Sequence, residues 1–519
     1  MALRINFNYE SAVTHTALKQ NERLMNKSLL RLSTGLRILN AADDSAGLFI
    51  ADQLALVSAG LEQGNRNIQT GISALQIAEN SAGQIYNKLK EIYVKAENAA
   101  NDINDPNARA ALQREISNFV DAIDKIAKDT EYNGIKLLDG TFTNKYIHYG
   151  PRSGQVVNVS IASLRASVLG SYTMDVTGGT TASAAADLTN VNNNYTFDTG
   201  DSITIDIGGD SIVLNSASQM SVTPYTGASP VLDASVIAKT INENSTAQQH
   251  GLRATASNTE TAGADFGASL ATIDTDGSIR VVIYVGDSKV FDKTYDSTTN
   301  PSLDQFIQDI NTSSLNTSGK LQASKDAGGT KLVLTSANGE TISVEVTATD
   351  TSGAGTTIDL NKIVNAGATT TITGTAGGTT GHGVAIGELT LASIEGFSVT
   401  TAGSLGGLTF GTLQFESLNN IDVSTNTGAE KALLIIDGAM KKVDTVRSQM
   451  GAVMNNLQSI YDAQKVAQDN TNEAENVIRN VDFAKEMATF TTMQIRMQSG
   501  IAMLAQANTL PQLVLQLLR

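Results

Sequence analysis

"LAQANTLPQLVLQLLR", residues 504–519, ends the chain, and no charged side chain stands between Met497 and Leu518. The fold depends on whether this stretch is a membrane span or part of a longer pattern. Gln498, Ser499, Gln506, Asn508, Thr509, Gln512, Gln516 and Pro511 all interrupt it. A bilayer span wants about 20 mostly apolar residues, so the membrane reading fails. Upstream, the tail continues a seven-residue series of Phe483, Phe490, Met497 and Leu504, with Met487 and Ile501 between them. Leu510, Val514 and Leu517 add apolar residues near the end. The tail therefore reads as the last part of an amphipathic helix whose apolar face needs a partner.

The other end carries the same pattern. Leu18, Met25, Leu32 and Leu39 are spaced by seven, with Leu29 and Leu36 in the interleaved position. After a break at "NAADDSAG", residues 40–47, a second series runs through Leu61, Ile68, Leu75 and Leu89, accompanied by Gly64, Gly71, Ala78, Ile85 and Ile92. The glycines and alanines in that seam imply close helix–helix approach. Asp105-Pro106 reads as a fresh helix start, and Asn133-Gly134 as a two-residue hairpin turn. Ile436, Val443, Met450 and Leu457 repeat the spacing of seven. No proline precedes Pro106 or lies between Pro301 and Pro511, so both flanks permit long helices.

Between the flanks the texture changes to Gly, Ser, Thr and Ala. Within it, "TGDSITIDIGGDSIVL" (199–214) and "TDGSIRVVIYVGDSKV" (275–290) alternate polar and apolar residues around a glycine turn, as β-hairpins do. Each is followed by a helical segment ending in Ile-Asn, at Asn242 and Asn311, and then by segments that align, "GLRATAS" and "KLQASKD", with Ile241 to Leu252 and Ile310 to Leu321 at equal spacing. Asn338-Gly339 is a third hairpin signal.

The fold expected is a multidomain α+β chain, with long N- and C-terminal helices paired as a coiled-coil or helical-bundle rod and a β-rich head inserted between them. The boundaries expected are a terminal helix over 1–45, rod over 46–175, head over 176–410, rod over 411–470 and a terminal helix over 471–519. Two tandem repeats, about 200–265 and about 275–350, fill the head. Leu61, Ile68, Leu75, Leu89, Ile436, Val443, Met450 and Leu457 are expected to pack the rod.

Composition excludes several functions. A net charge of -16 argues against a nucleic-acid binder, which needs a basic stripe to displace counterions. There is no cysteine, hence no disulfide framework or thiolate site. "MALRINFNYESAVTHTALKQ" lacks the apolar block of a secretory signal. Gly-Asp-Ser recurs at 200–202, 209–211 and 286–288, where turns are expected, with no His or Asp partner standing out. His15, His148, His250 and His382 form no metal-spaced cluster, and His382, between glycines, reads as a loop residue. Asp43 and Asp44 read as a helix cap. No catalytic residue, cofactor site or metal site is expected.

"LLRLSTGLRILNAADDSAGLFIADQL" (29–54) and "GISALQIAENSAGQI" (71–85) closely resemble the N-terminal signature of bacterial flagellins. "VRSQMGAVMNNLQS" (446–459), "VDFAKEMATFTTMQI" (481–495) and residues 500–519 resemble the C-terminal one. The Ile-Asn units look like the hook-type insert of some flagellin heads. The resemblance implies a filament subunit, secreted unfolded through the flagellar type III apparatus, with terminal helices that polymerise as an open helical homopolymer. The implied partners are further copies, an export chaperone on the C-terminal segment, a filament cap and hook-associated junction proteins, with no nucleic acid and no membrane. Polymerisation is then assigned to Leu18, Met25, Leu29, Leu32, Leu36 and Leu39 in the first helix. In the last it falls to Phe483, Met487, Phe490, Met497, Ile501, Leu504, Leu510, Val514 and Leu517.

One departure from the family pattern concerns the stretch read by the vertebrate innate receptor. Where that pattern approximates Leu-Gln-Arg-Val-Arg-Glu-Leu-Ala, Glu91 reverses a charge and Lys95 replaces an apolar contact. Weak or absent activation of a reporter cell line by purified monomer is expected, and robust activation would contradict it. Two alternatives are a hook–filament junction protein of the same superfamily and a surface adhesin on a helical stalk.

Overall fold

The computed structural model describes residues 8–517 except 102, 184–194, 225–227, 353, 354, 366–369 and 404, with side chains of the last helix described as far as Thr509. The helices are α1 Tyr9–Thr34, α2 Ser45–Ala99, α3 Pro106–Asp129, α4 Ala217–Met220, α5 Ala234–Glu243, α6 Ser245–Gln249, α7 Leu303–Asn311, α8 Asn426–Arg479 and α9 Phe483–Leu517. The chain divides into two compact units. One is Met1–Ile77, Phe142–Ser160 and Gln449–Arg519; the other is Ala78–Thr141 and Ile161–Ser448. α2 and α8 contribute to both, so the second unit holds part of the expected rod together with the head. No described helix is long and apolar enough to cross a membrane.

In the first unit, α1 and α9 run antiparallel, and so do the first part of α2 and the last part of α8. Asp52 pairs with Arg479 at 3.5 Å, Ser58 Oγ donates to Asn472 Oδ1, and Gln69 Nε2 donates to the Tyr461 hydroxyl at 3.0 Å. Helix α1 stops because Gly35 takes the left-handed conformation (φ 73) and donates its N–H to Arg31 O at 2.8 Å. The terminal helix thus ends at Thr34 and not near 45, which leaves Leu36 and Leu39 beyond it. Helix α8 runs through the expected 470/471 boundary, and the break falls at 480–482. There Asp482 Oδ1 accepts from the N–H groups of Ala484 and Lys485 and opens α9. The two breaks are stitched together: Val481 N donates to Gly35 O, Arg37 N to Arg479 O, and the Arg37 guanidinium to Ile478 O at 2.6 Å.

The seam glycines serve a purpose other than the one their spacing suggests. A Cβ on Gly64 would lie 1.7 Å from Tyr149 O and one on Gly71 2.3 Å from Ile147 Cδ1; Gly60, outside the seam series, is as close, with a Cβ 2.6 Å from Pro151 Cβ. What comes nearest α2 there is the hairpin Lys145–His148/Val156–Val159 and its turn, with α8 close behind at Gly64, where a Cβ would lie 3.2 Å from Gln464 Oε1. Asn67 Nδ2, donating to His148 O at 2.9 Å, holds the hairpin in place.

In the second unit, α2, α3 and α8 bury Ile85, Leu89, Ile92, Ile116, Ile123, Ile436 and Val443 almost completely. Asp105 Oδ1 caps α3 through Ala108 N at 2.7 Å, with Pro106 in the first turn. Asn133 (φ 51) and Gly134 (φ 77) make the expected hairpin turn, in which both residues need the left-handed region.

Strands extend somewhat past both head boundaries, from Gly170–Gly178 to Gln414–Ser417. The expected hairpins form as Ser202–Ile207/Asp210–Leu214 and Gly277–Val285/Ser288–Asp296, with turns at Gly208-Gly209 and Gly286. After each comes its helix, α5 or α7, and after that the strand Arg253–Thr261 or Leu321–Lys325. The Asn of each Ile-Asn pair locks helix to strand. Asn242 Nδ2 donates to Ala254 O at 2.7 Å while its Oδ1 accepts Ala254 N at 2.9 Å; Asn311 does the same with Ala323 at 2.8 and 2.8 Å. Each amide side chain thus imitates one residue of a neighbouring strand.

The repeats are not independent, because strand Leu332–Ser336 of the second pairs with Arg253–Thr261 of the first. Two expectations fail in this region. Asn338-Gly339 turns the chain without making a hairpin: Leu332–Ser336 and Ile342–Asp350 lie in different sheets. His382 is a buried strand residue within Thr379–Ala385 rather than a loop residue, its Nε2 3.5 Å from Glu345 Oε2. Its flanking glycines leave room for Ile372 and Val364, which a Cβ would meet at 2.4 and 2.7 Å.

Candidate assembly surface

The α1–α9 pair has a thin seam. On α1, Leu18, Met25 and Leu32 are half-buried, alternating with Thr14, Asn21 and Ser28. On α9 the matching stripe is Phe490, Met493, Met497, Gly500, Leu504 and Ala507. A Cβ on Gly500 would lie 3.1 Å from Leu18 Cδ1, so the glycine lets that leucine sit close. Polar ties fix the register. Asn8 Nδ2 donates to Ala507 O at 2.9 Å, Ser11 Oγ to Asn508 Oδ1 at 2.9 Å, and Ser28 Oγ to Glu486 O at 3.4 Å. Lys27 reaches Asp43 at 2.6 Å and holds its carboxyl below the usual range. Asp43 is therefore a tie between segments, while Asp44 caps α2 through Gly47 N at 2.9 Å.

Among the described side chains, no Leu, Ile, Met, Phe or Val of either terminal helix is buried; only Ser28 and Ala507 are. By contrast, Ile68 and Leu457 on α2 and α8 of the same unit are fully enclosed. The outward face of α9 is largely apolar too, and α1 exposes apolar side chains among charged Lys19, Glu22 and Arg23. Met487 is 52% exposed, Ile501 54%, Phe483 57% and Leu29 51%. Val13, Leu24, Leu30, Ile495 and Met503 are exposed likewise. A helix apolar around its circumference belongs inside a larger assembly.

The structure sorts the expected residues into groups. Leu18, Met25, Leu32, Phe490, Met497 and Leu504 face the intrachain seam; Leu29, Phe483, Met487 and Ile501 face outward. Leu36 and Leu39 lie in the connection between α1 and α2, where Leu36 bridges to Asn480. The side chains of Leu510, Val514 and Leu517 lie outside the described residues. Leu61, Ile68, Leu75, Met450 and Leu457 are buried in the first unit, and Leu89, Ile436 and Val443 in the second. The exposed Leu24, Leu30, Ile495 and Met503 fall off the seven-residue series. The signal that finds Ile495 and Met503 is the scarcity of charge on every face of α9, not its periodicity, and α1 offers no such signal for Leu24 and Leu30.

The Gly-Asp-Ser triplets sit in turns, as expected. Asp274, Asp276 and Asp350 cluster, but Ser352 Oγ lies between them, and Asp350 accepts from the N–H groups of Gly355 and Thr356, which makes it a turn staple.

Comparison with known proteins meets this geometry at both ends. The bacterial flagellin N-terminal helical region matches residues 5–143, and the bacterial flagellin C-terminal helical region matches residues 433–518. Flagellin of Aquifex aeolicus is 56% identical with 100% of both chains covered, and B-type flagellin of Pseudomonas aeruginosa is 32% identical with the same coverage. The solved structure of FliC from Burkholderia pseudomallei aligns with 75% of this chain and 99% of that one at 18% identity and a TM-score of 0.29. Family membership rests on the sequence relatives alone. On matched end regions and full-length identity, the chain belongs to the bacterial flagellin family.

Proposed function

We infer that this chain is the structural subunit of the flagellar filament, an extracellular homopolymer, and that it has no enzymatic role. The observation that carries the reading is the incomplete core of the α1–α9 pair, with large apolar side chains left exposed on the outside of both helices. Each large apolar side chain enclosed by a neighbouring copy contributes about 1.5–3 kcal/mol, set against the entropy of ordering the helices. Repeated contacts that do not close on themselves propagate an open helix.

In this reading Leu18, Met25, Leu32, Phe490, Met497 and Leu504 hold the two termini together. Leu29, Phe483, Met487 and Ile501 face other subunits, and Leu510, Val514 and Leu517 also serve polymerisation. The same exposed apolar surface gives an export chaperone a reason to hold the C-terminal segment before assembly. Passage unfolded through the flagellar type III apparatus, growth under a filament cap and attachment to junction proteins complete the proposal.

The test is electron microscopy after seeding purified protein, comparing the full chain with one ending at Ser499. Long filaments from the first and none from the second are expected. Equal growth from both would overturn the reading, and short stubs from the full chain would favour a junction protein.

A further inference from the structure

His250 follows α6 and lies where three segments of the head meet. Its Nε2 is 3.1 Å from Asp210 Oδ2, at the turn of the first hairpin, and its Nδ1 is 3.1 Å from Glu395 Oε2, between the strands Glu388–Ser393 and Phe397–Ala402. The backbone joins in: Ser393 Oγ donates to His250 O at 3.2 Å. The ring rests on the Gly208 turn, where a Cβ would come within 2.3 Å of its Cε1. The histidine side chain is only 14% exposed, although its two carboxylate partners are 60% and 51% exposed.

A neutral imidazole donates from one nitrogen and presents a lone pair at the other. With a carboxylate at each nitrogen, that lone pair would face an anionic oxygen. The doubly protonated ring satisfies both partners. We propose that His250 is a pH-gated clamp in the flagellin head, whose imidazolium fastens the hairpin turn at Asp210 and the corner at Glu395 to the end of α6, and which opens under alkaline conditions.

The charged groups facing the ring are Asp210 and Glu395. Lys441 on α8 brings its Cδ within 3.8 Å of the Cβ position of neighbouring Gly251, and its ammonium is engaged by Asp437 at 2.7 Å. Asp206, across the hairpin, accepts from Ser211 Oγ. The hydrogen bond to Asp210 and then that to Glu395 raise the histidine above its ordinary value. A group raised on folding contributes fully below its unfolded pKa, and the contribution fades as pH climbs through the folded one. The clamp is therefore closed where the histidine is protonated and its two carboxylates are ionised, and is released as pH rises beyond the ordinary histidine range.

The clamp does not depend on filament growth, so the unassembled full chain tests it. Hydrogen exchange read by mass spectrometry, corrected for intrinsic rates, gives the protection of peptides spanning 206–212 and 393–398. Between pH 6 and pH 9 that protection is expected to fall about fivefold in the parent chain. In His250→Gln it should be low at both pH values and change little between them. No fall in the parent, or the same fall in the variant, would overturn the clamp. Should His250→Gln lose protection throughout the unit, Glu395→Gln carries the test by NMR of 13C-labelled histidine. Removing one carboxylate must then move the His250 titration to lower pH, and an unmoved titration sinks the proposal.

Discussion

A chain carrying Met487→Lys together with Ile501→Lys should keep its helices as a monomer and fail to extend filaments. Both side chains point away from the α1–α9 seam, being 52% and 54% exposed, so lysine at these sites meets water in the isolated chain. Lysine is also a good helix former, and Phe490, Met497 and Leu504 remain to hold the pair. In the polymer the same positions are expected to be enclosed by other copies. Each substitution then removes about 1.5–3 kcal/mol of apolar burial and adds the cost of desolvating an unpaired ammonium. Two such losses raise the concentration needed for growth by roughly 100-fold or more. Circular dichroism of the monomer and sedimentation of seeded mixtures check the two halves of the expectation. Filaments growing at the parent concentration would show that these faces are not between subunits.

How much of the molecule is legible in its sequence differs by element. A seven-residue spacing held over α2 and α8 is hard to satisfy by accident, so the helices and their buried side chains, Ile68 or Val443, can be read directly. The outward face of α9 can be read only in part: Phe483, Met487 and Ile501 follow from the series, whereas Ile495 and Met503, off it, look like noise until the helix is seen to lack a core. Gly64 is visible as a close-contact position, but its partner, Tyr149 O, lies far along the chain, and spacing says nothing about what approaches. Likewise Asn242 and Asn311 stand out as a repeated residue. Their role needs the strand 12 residues later, whose Ala254 or Ala323 backbone each one brackets. The break before α9 has a local signal, Asp482 immediately ahead of Phe483, which the longer heptad series masks. His382 is deceptive because glycine neighbours usually mean a loop; here they make room for side chains packed over a strand.

Glu260→Gln should flatten the pH dependence of the head's stability and strengthen the head at alkaline pH. Glu260 lies in the strand Arg253–Thr261, is 8% exposed, and accepts one hydrogen bond, from Asn365 N at 2.8 Å. Burial penalises the carboxylate more than that single bond supports it, and the pKa rises from 4.5 to about 7. The folded state therefore holds a proton that the unfolded chain has released. Stability from the neutral form is complete below 4.5 and is lost as pH rises through about 7. A tenfold change in proton affinity is worth about 1.36 kcal/mol, so the ionised carboxylate costs the head about 3 kcal/mol above pH 8. Glutamine keeps a carbonyl oxygen for Asn365 N and has nothing to ionise, so its advantage over the parent should grow by that amount between about pH 4.5 and about pH 8.5. Urea unfolding of the full chain, followed at buried Tyr295 in the same unit, reads the difference. Parallel stability curves for variant and parent would mean that Glu260 is already solvated or paired when ionised, and that the buried carboxyl does not set the head's alkaline limit.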